Sequence, residues 1–410
     1  MSDGQQESML SRCRKLRLEN PTLWSHHFGG WTHTVGLIKQ NLCCDDGLLF
    51  ITSAEDLATE EAKVISEPWV GMVHQVPKNN YEWFPDLKRM VVDTTFRQSL
   101  MQCKGLFCLS SVVSDFLREH LPDVPVTRLL YPYTPTNSRF NKVDFFSRKN
   151  TTRVLFVGEY MRNFQYFFDL DLPPGFQKIL LQSPDVNMKT NGIVTNDSVT
   201  IRQYVGNDEY DALLCNSVVF LNLFDAAANT TVLECIIRNT PIVVNRLPGL
   251  EEYLGRDYPL FYDTAIEARE LLTSDQALQK GSEYLENLPL KTSLNDNSFL
   301  HALQNSATYR LLPVPASQKA ISQRIPEYDI TVMICSYKRV YNMENLLQCF
   351  VNQTIDKNVE IIVWNNNYSA RDELQLICDG FKGKLDIKVI HSTEKLLLHR
   401  EVGCDKSYAQ

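Results

Sequence analysis

The sequence predicts an α/β chain: two parallel-sheet domains and then a shorter third α/β unit. Three observations carry that reading. From about residue 22 to residue 312, short apolar runs alternate with segments of helical period, the pattern of parallel strands joined by crossover helices. A polar, basic stretch at 137–150 interrupts the alternation and reads as an interdomain linker. A second, Pro-containing stretch at 313–328 precedes a fresh strand–helix–strand pattern. The expected domains are therefore 1–149, 150–312 and 329–410, with 313–328 as a linker.

Composition sets the outer bounds. The chain has 410 residues, enough for two or three domains, and 44% hydrophobic with 22% charged residues is ordinary for a soluble globular protein. A net charge of −8, with no dense Lys/Arg stripe, argues against a nucleic-acid partner. No apolar run approaches the roughly 18–20 residues that span a bilayer, so no transmembrane segment is expected. The first 20 residues are polar and lack the apolar core of a signal peptide. The 11 cysteines show no CxxC pair and no histidines at metal spacing. Reduced thiols in a cytoplasmic protein with no metal ligands are expected, and sequons such as Asn150 and Asn229 are then chance.

In the first domain, Gly29 and Gly30 open a helical pattern through Val35, Leu37 and Ile38. Glycines at a helix start admit close approach of a backbone or a ligand, or simply make a turn. A strand at 47–51, an acidic helix at 55–64 and a strand at 70–75 follow. His74 ends that strand, where ligands collect in open parallel sheets, though a satisfied structural histidine is the plainer reading. A helix at 96–102, a strand at 105–110, a helix at 113–120 and a strand at 126–130 complete the domain.

The second domain opens with the strand 154–158, ending at Gly158. Arg162 follows four residues on, placed to meet an anion or to stay solvated. Strands at 178–182 and 199–201 and a helix at 208–215 come next. The strand 217–223 then runs into a small-residue loop, Ala226 to Ala228. Asn229 is the N-cap of a helix opened by Thr230 and Thr231, which ends near Asn239 before the strand 242–244. Exposed N–H groups at such a helix start make an anion site. Glu234 lies three to four residues past Thr230 and Thr231, on their face. That spacing suits a nucleotide, with diphosphate on the amides and ribose hydroxyls on Glu234. A capped core helix with a solvated Glu234 is the plainer reading. A strand at 259–262 and helices over 265–312 close the domain. The third unit reads as a strand at 329–335, a helix at 342–352 and strands at 359–364 and 385–390.

Three segments carry a resemblance: Phe156-Val157-Gly158, the run 229–235, and Asn239-Thr240-Pro241-Ile242-Val243-Val244. Together the first two domains resemble the GT-B glycosyltransferases, two Rossmann-like domains facing across a cleft. The resemblance implies that Glu234 binds the donor ribose and that the amides at Asn229, Thr230 and Thr231 hold the diphosphate. It also implies that Gly29 and Gly30 lie beside the donor phosphates, and that Arg162 stands for the family's basic pair. Where retaining members carry a second glutamate, eight residues before Glu234, this chain has Ala226, with Asp225 beside it to stand in. His74 would contact the donor sugar or act on the acceptor hydroxyl.

The third unit resembles the start of a family 2-like GT-A glycosyltransferase, through 329–339 and 359–367. There the resemblance implies base contacts from Ser336, Arg339 and Asn365 or Asn366. It implies a divalent Mg or Mn ion only where a complete GT-A domain exists. The GT-B module needs no cofactor beyond its nucleotide-sugar substrate. The implied function is transfer of a sugar from a nucleoside-diphosphate sugar to a glycan or small acceptor. A sugar-nucleotide epimerase and a catalytically silent nucleotide-sugar-binding scaffold are the alternatives.

Overall fold

The computed structural model describes residues 13–23, 30–77, 86–133, 136–147, 151–182, 193–203, 205–318, 328–336, 340–353, 357–365 and 368–391. The chain forms two compact units, 1–322 and 323–410.

The first unit holds two parallel sheets. The first contains β1 (Leu16–Arg17), β2 (Leu48–Ile51), β3 (Trp69–Val73), β4 (Cys103–Cys108) and β5 (Val126–Arg128), paired in that order. A parallel sheet has to bury both faces, and successive strand residues alternate between them. Phe50, Met72 and Phe107 share a core with Trp31, Val35 and Ile38 of the Trp31–Leu42 helix. Leu49, Leu106 and Cys108, of opposite parity, pack instead with Phe96, Val113 and Leu117 from the Thr94–Leu100 and Ser111–His120 helices.

The second sheet contains β6 (Thr152–Val157), β7 (Phe176–Leu181), β8 (Val199–Arg202), β9 (Val218–Leu221), β10 (Ile242–Asn245) and β11 (Phe261–Tyr262). Its order, β11-β10-β9-β6-β7-β8, reverses direction between β6 and β9. That is the doubly wound Rossmann order, and the crevice at the carboxyl ends of β6 and β9 is its topological switch point.

The two halves meet through loops at the carboxyl ends of their strands. Tyr253 donates to the Leu109 carbonyl at 2.6 Å, and Tyr160 donates to Gln75. The Asp296–Asn305 and Ala307–Arg310 helices return from the second half to the first sheet, where Thr308 bonds Thr127 at 2.7 Å and Asp296 meets His33 at 3.0 Å. This is the GT-B arrangement of two Rossmann-like halves. Two buried lysines fasten helix ends. Lys178 donates to the carbonyls of Phe167, Phe168 and Leu170 (3.0, 3.0 and 2.8 Å), and Lys15 to those of Tyr309 and Arg310 (3.2 Å each). Both supply the donors that a helix C-terminus lacks.

The second unit is a three-stranded parallel sheet, β12 (Ile330–Ser336), β13 (Val359–Asn365) and β14 (Asp386–His391). The Met343–Val351 and Arg371–Asp379 helices pack on it through Met343, Leu347, Leu374 and Cys378 against Ile361 and Val363.

The structure departs from the sequence reading in several elements. Over 55–64 there is a single 3-10 turn, Ala54–Ala58, because Glu55 points into the core instead of continuing an acidic surface helix. The stretch 137–150 is no bare linker, since Phe140 and Phe145 enter the main core around a short Lys142–Phe146 helix capped by Asn141. Strand β1 and the helices Phe164–Asp169, Pro248–Leu254 and Arg371–Asp379 lie outside the sequence reading. Among the described residues, no helix is long and apolar enough to cross a membrane, and no disulfide joins the cysteines.

Candidate functional site

At the switch point, the loops after β6 and β9 are fastened together. The chain leaves β6 at Gly158 with a φ of +82°, a left-handed turn that a side chain would strain. It doubles back so that Arg162 bridges Leu223, Asn163 donates to the Asn222 carbonyl at 2.9 Å, and Phe224 donates to the Met161 carbonyl at 3.0 Å. Arg162 is thereby buried and its guanidinium held as a fixed fork. Nε donates to the Val157 carbonyl (3.1 Å), Nη1 to the Tyr160 carbonyl (2.7 Å), and Nη2 to Asn229 Oδ1 (3.4 Å) and Thr231 Oγ1 (3.1 Å). A Cβ on Gly158 would stand 3.0 Å from Nη2.

The helix that Arg162 touches is Thr230–Arg238. Asn229 caps it by accepting from the Val232 amide at 3.3 Å, and Asn239 ends it in the left-handed region, at φ 64°. Thr231 is buried and Thr230 exposed. The helix start carries a partial positive charge, and the guanidinium beside it adds a whole one. Two positive features held side by side would both be stabilised by one negative group placed before them. The structure thus brings together Arg162, Asn229 and Thr231, with Thr230 exposed beside them.

Glu234 lies one turn further in. It is buried, its carboxylate accepts from Tyr210 of the Asn207–Cys215 helix, and burial pushes its pKa up to about 7. Arg238, at the i+4 position, does not hydrogen-bond that carboxylate. Its Nε donates to Asp211 at 2.6 Å, and its Nη1 donates to the Tyr133 hydroxyl at 2.8 Å and the Glu234 carbonyl at 3.3 Å. Asp225 is half-buried and turned onto its own loop, accepting from the Ala226 amide at 2.7 Å, and burial raises its pKa.

From the first half, Gly30 is the extended N-cap of the Trp31–Leu42 helix, while Gly29 falls outside the described residues. Two buried polar groups at that helix start, Trp31 Nε1 and Thr32 Oγ1, have no hydrogen-bond partner among the described residues. His74 follows β3. Its Nε2 donates to the Thr52 carbonyl at 2.9 Å, and its ring meets the Trp31 indole edge-on at 4.4 Å. Burial pushes its pKa down to about 4, so the ring is neutral at physiological pH. Its neighbour Gln75 receives the hydrogen bond from Tyr160, two residues before Arg162.

In the second unit, Ser336, Asn365 and His391 stand in adjacent register at the carboxyl ends of β12, β13 and β14. Ser336 Oγ is buried and has no hydrogen-bond partner among the described residues. Asn365 meets His391 Nδ1 at 3.1 Å, and the opposite ring nitrogen meets Gln375 Oε1 at 3.0 Å. Arg339 and Asn366 lie outside the described residues. Among the described residues, no group of three or more His, Cys, Asp or Glu side chains could hold a metal ion.

Sequence reasoning missed Glu55, Gln75, Tyr160, Tyr210 and His391. Each acts through a partner distant in sequence, so no local spacing pointed to it. Arg238 could have been flagged by its i+4 distance from Glu234.

No family model and no curated protein matches the sequence. Among solved structures, the chain is similar to a variant of S. aureus TarM in complex with fondaparinux, alpha-GlcNAc-glycerol and UDP, with a TM-score of 0.46, 12% identity and 63% of this chain covered. The match spans 55% of the TarM chain, about half its length. It is similar also to Anabaena Alr3699/HepE in complex with UDP-glucose (TM-score 0.47, 11% identity, 62% of this chain and 76% of that one). A third is the lipopolysaccharide outer core galactosyltransferase WaaB in its apo form (TM-score 0.41, 10% identity, 67% and 78%).

Proposed function

We propose that the first unit is a glycosyltransferase that moves a sugar from a nucleoside-diphosphate sugar to a glycan or other acceptor hydroxyl. The observation that carries the proposal is the meeting of the Arg162 guanidinium with the N-terminus of the Thr230–Arg238 helix at the switch point of a Rossmann-ordered sheet. Departure of a nucleoside diphosphate from a sugar leaves negative charge on phosphate oxygens, and preorganised donors at that point stabilise the transition state. Arg162 and the amides following Asn229 supply them, so the diphosphate charge is met by protein groups and no metal is required. Glu234, held by Tyr210, accepts from ribose hydroxyls. His74 supplies a neutral imidazole on the acceptor side, beside the Trp31 indole.

Asp225 supports a second reading. It stands beside Ala226, the position at which the resemblance to retaining transferases expects a sugar-contacting carboxylate, and it is turned onto the Ala226 amide. A binder that holds the donor without transferring it fits that geometry. Incubation with a panel of UDP-, GDP- and ADP-sugars, with and without EDTA, separates the two. Slow donor hydrolysis or transfer that survives EDTA supports the transferase, tight binding without turnover supports the binder, and neither outcome overturns both. For the second unit, we propose that Ser336, Asn365 and Arg339 contact a nucleotide base in the manner of a GT-A domain, a reading supported by the Ser336 hydroxyl, buried and without a partner among the described residues. On this reading a divalent Mg or Mn ion is needed only in a complete GT-A domain.

A further inference from the structure

Glu55 is the least expected charged group in the first half. The 3-10 turn Ala54–Ala58 carries it inward from the end of β2, and its relative exposure is 0%. An ionisable group so placed is costly unless hydrogen bonds compensate. The compensation comes from the loop after β3. One carboxylate oxygen, Oε1, accepts from the amides of both His74 and Gln75, the latter at 2.5 Å, while Ser53 Oγ donates to Oε2 at 3.3 Å. Consecutive amides at a strand end have lost their sheet partners, and a single anionic oxygen can take both.

The same β2 loop reaches the His74 side chain. The Thr52 carbonyl can only accept, so the bond from Nε2 places the ring proton on that nitrogen. Backbone and tautomer of His74 are therefore both set by the four-residue segment 52–55. Gln75, clamped with it, receives Tyr160 from the opposite half, and Tyr160 presents its own carbonyl to Arg162. A continuous chain of bonds runs from Glu55 through Gln75 and Tyr160 to the anion site.

We propose that Glu55 is a positioning residue, whose buried carboxylate clamps the His74–Gln75 backbone and thereby fixes His74 in one orientation and Gln75 against Tyr160. Its consequence for turnover rests on the transferase reading; the clamp itself does not.

The test uses the full chain at pH 8, above the Glu55 value of about 7, so that the carboxylate is ionised. Backbone amide proton shifts of His74 and Gln75, and the imidazole 15N shifts of His74, are recorded for wild type, Glu55→Gln and Glu55→Ala. The glutamine keeps an acceptor oxygen without charge. Both amide protons should move upfield in Glu55→Gln while the ring tautomer is retained, and Glu55→Ala should lose the tautomer as well. In turnover, kcat should fall by about tenfold to a hundredfold in Glu55→Ala and recover in Glu55→Gln. Amide shifts in Glu55→Gln that match wild type overturn the proposal, and that comparison stands even where Glu55→Ala does not fold. If wild type turns over no nucleotide sugar, the transferase reading falls, and the amide shifts still decide the role of Glu55.

Discussion

Tyr210 donates its phenolic hydrogen to the Glu234 carboxylate at a point where both side chains are buried. Burial moves the Glu234 pKa from 4.5 to about 7. Between those values the native state keeps a proton that the unfolded chain releases, so this group's contribution to stability is full below pH 4.5 and is lost as pH rises toward 7. The loss is on the order of 3 kcal/mol for a fully coupled group. Glu55 acts in the same direction, and His74, depressed to about 4, acts in the opposite one below pH 6.5. The difference between Glu234→Gln and wild type isolates the one carboxyl. Melting temperatures across pH 4.5–7.5 should show the variant gaining on wild type as pH rises. A difference that stays flat would show that Glu234 does not titrate in this window.

Gly158 and Arg162 make a second prediction. At φ +82° an alanine is strained, and its Cβ would press on Arg162 Nη2 from 3.0 Å. Gly158→Ala should therefore displace the guanidinium and weaken UDP binding by about 1–3 kcal/mol, the worth of a charge-assisted hydrogen bond. Uridine, which carries no phosphate, should bind both forms alike. Calorimetry with both ligands checks this, and an equal loss for uridine would place the effect elsewhere than at the phosphates.

The joint between the halves gives a third. Glu252 of the Pro248–Leu254 helix accepts from the Ser111 amide and hydroxyl, each at 2.6 Å, at the start of the Ser111–His120 helix, and pairs with Arg128. A carboxylate there satisfies two donors and complements the helix dipole. Glu252→Ala should lower stability by about 1–3 kcal/mol, and Glu252→Gln by less, since the amide oxygen still accepts. Equal melting temperatures for the two variants would mean that the hydrogen bonds contribute nothing beyond the charge.

Much of this architecture was legible in the sequence, because parallel strands buried on both faces read as apolar runs and helix ends carry side-chain signals. Asn229 and Asn239 marked both ends of the central helix correctly, and Val154 to Gly158 marked its companion strand. Strand β1 escaped because two residues carry no periodicity. The 55–64 segment misled because an acidic run normally marks a solvated helix, whereas Glu55 is drawn inward by amides nineteen and twenty positions away. Glu234 shows the same limit. Its spacing placed it near the amides that open the helix, but its burial is shared with Tyr210, from the preceding helix. Spacing reports which residues share a face, and burial is decided by what packs upon that face.

The two units supply the last prediction. The two hydrophobic clusters of the first unit draw on residues from Leu16 to Leu312, and the cluster of the second draws on residues from Val332 to Val389. Among the described residues, each buried apolar residue belongs to a single one of these clusters. A chain ended after Ser322 therefore keeps every described core contact of the first unit, and the cooperative loss of one core need not accompany loss of the other. The truncated chain should fold, melt within about 2–4 °C of the corresponding transition in the full chain, and bind UDP with unchanged affinity. A larger drop, or loss of UDP binding, would show that the second unit supports the first through contacts outside these cores.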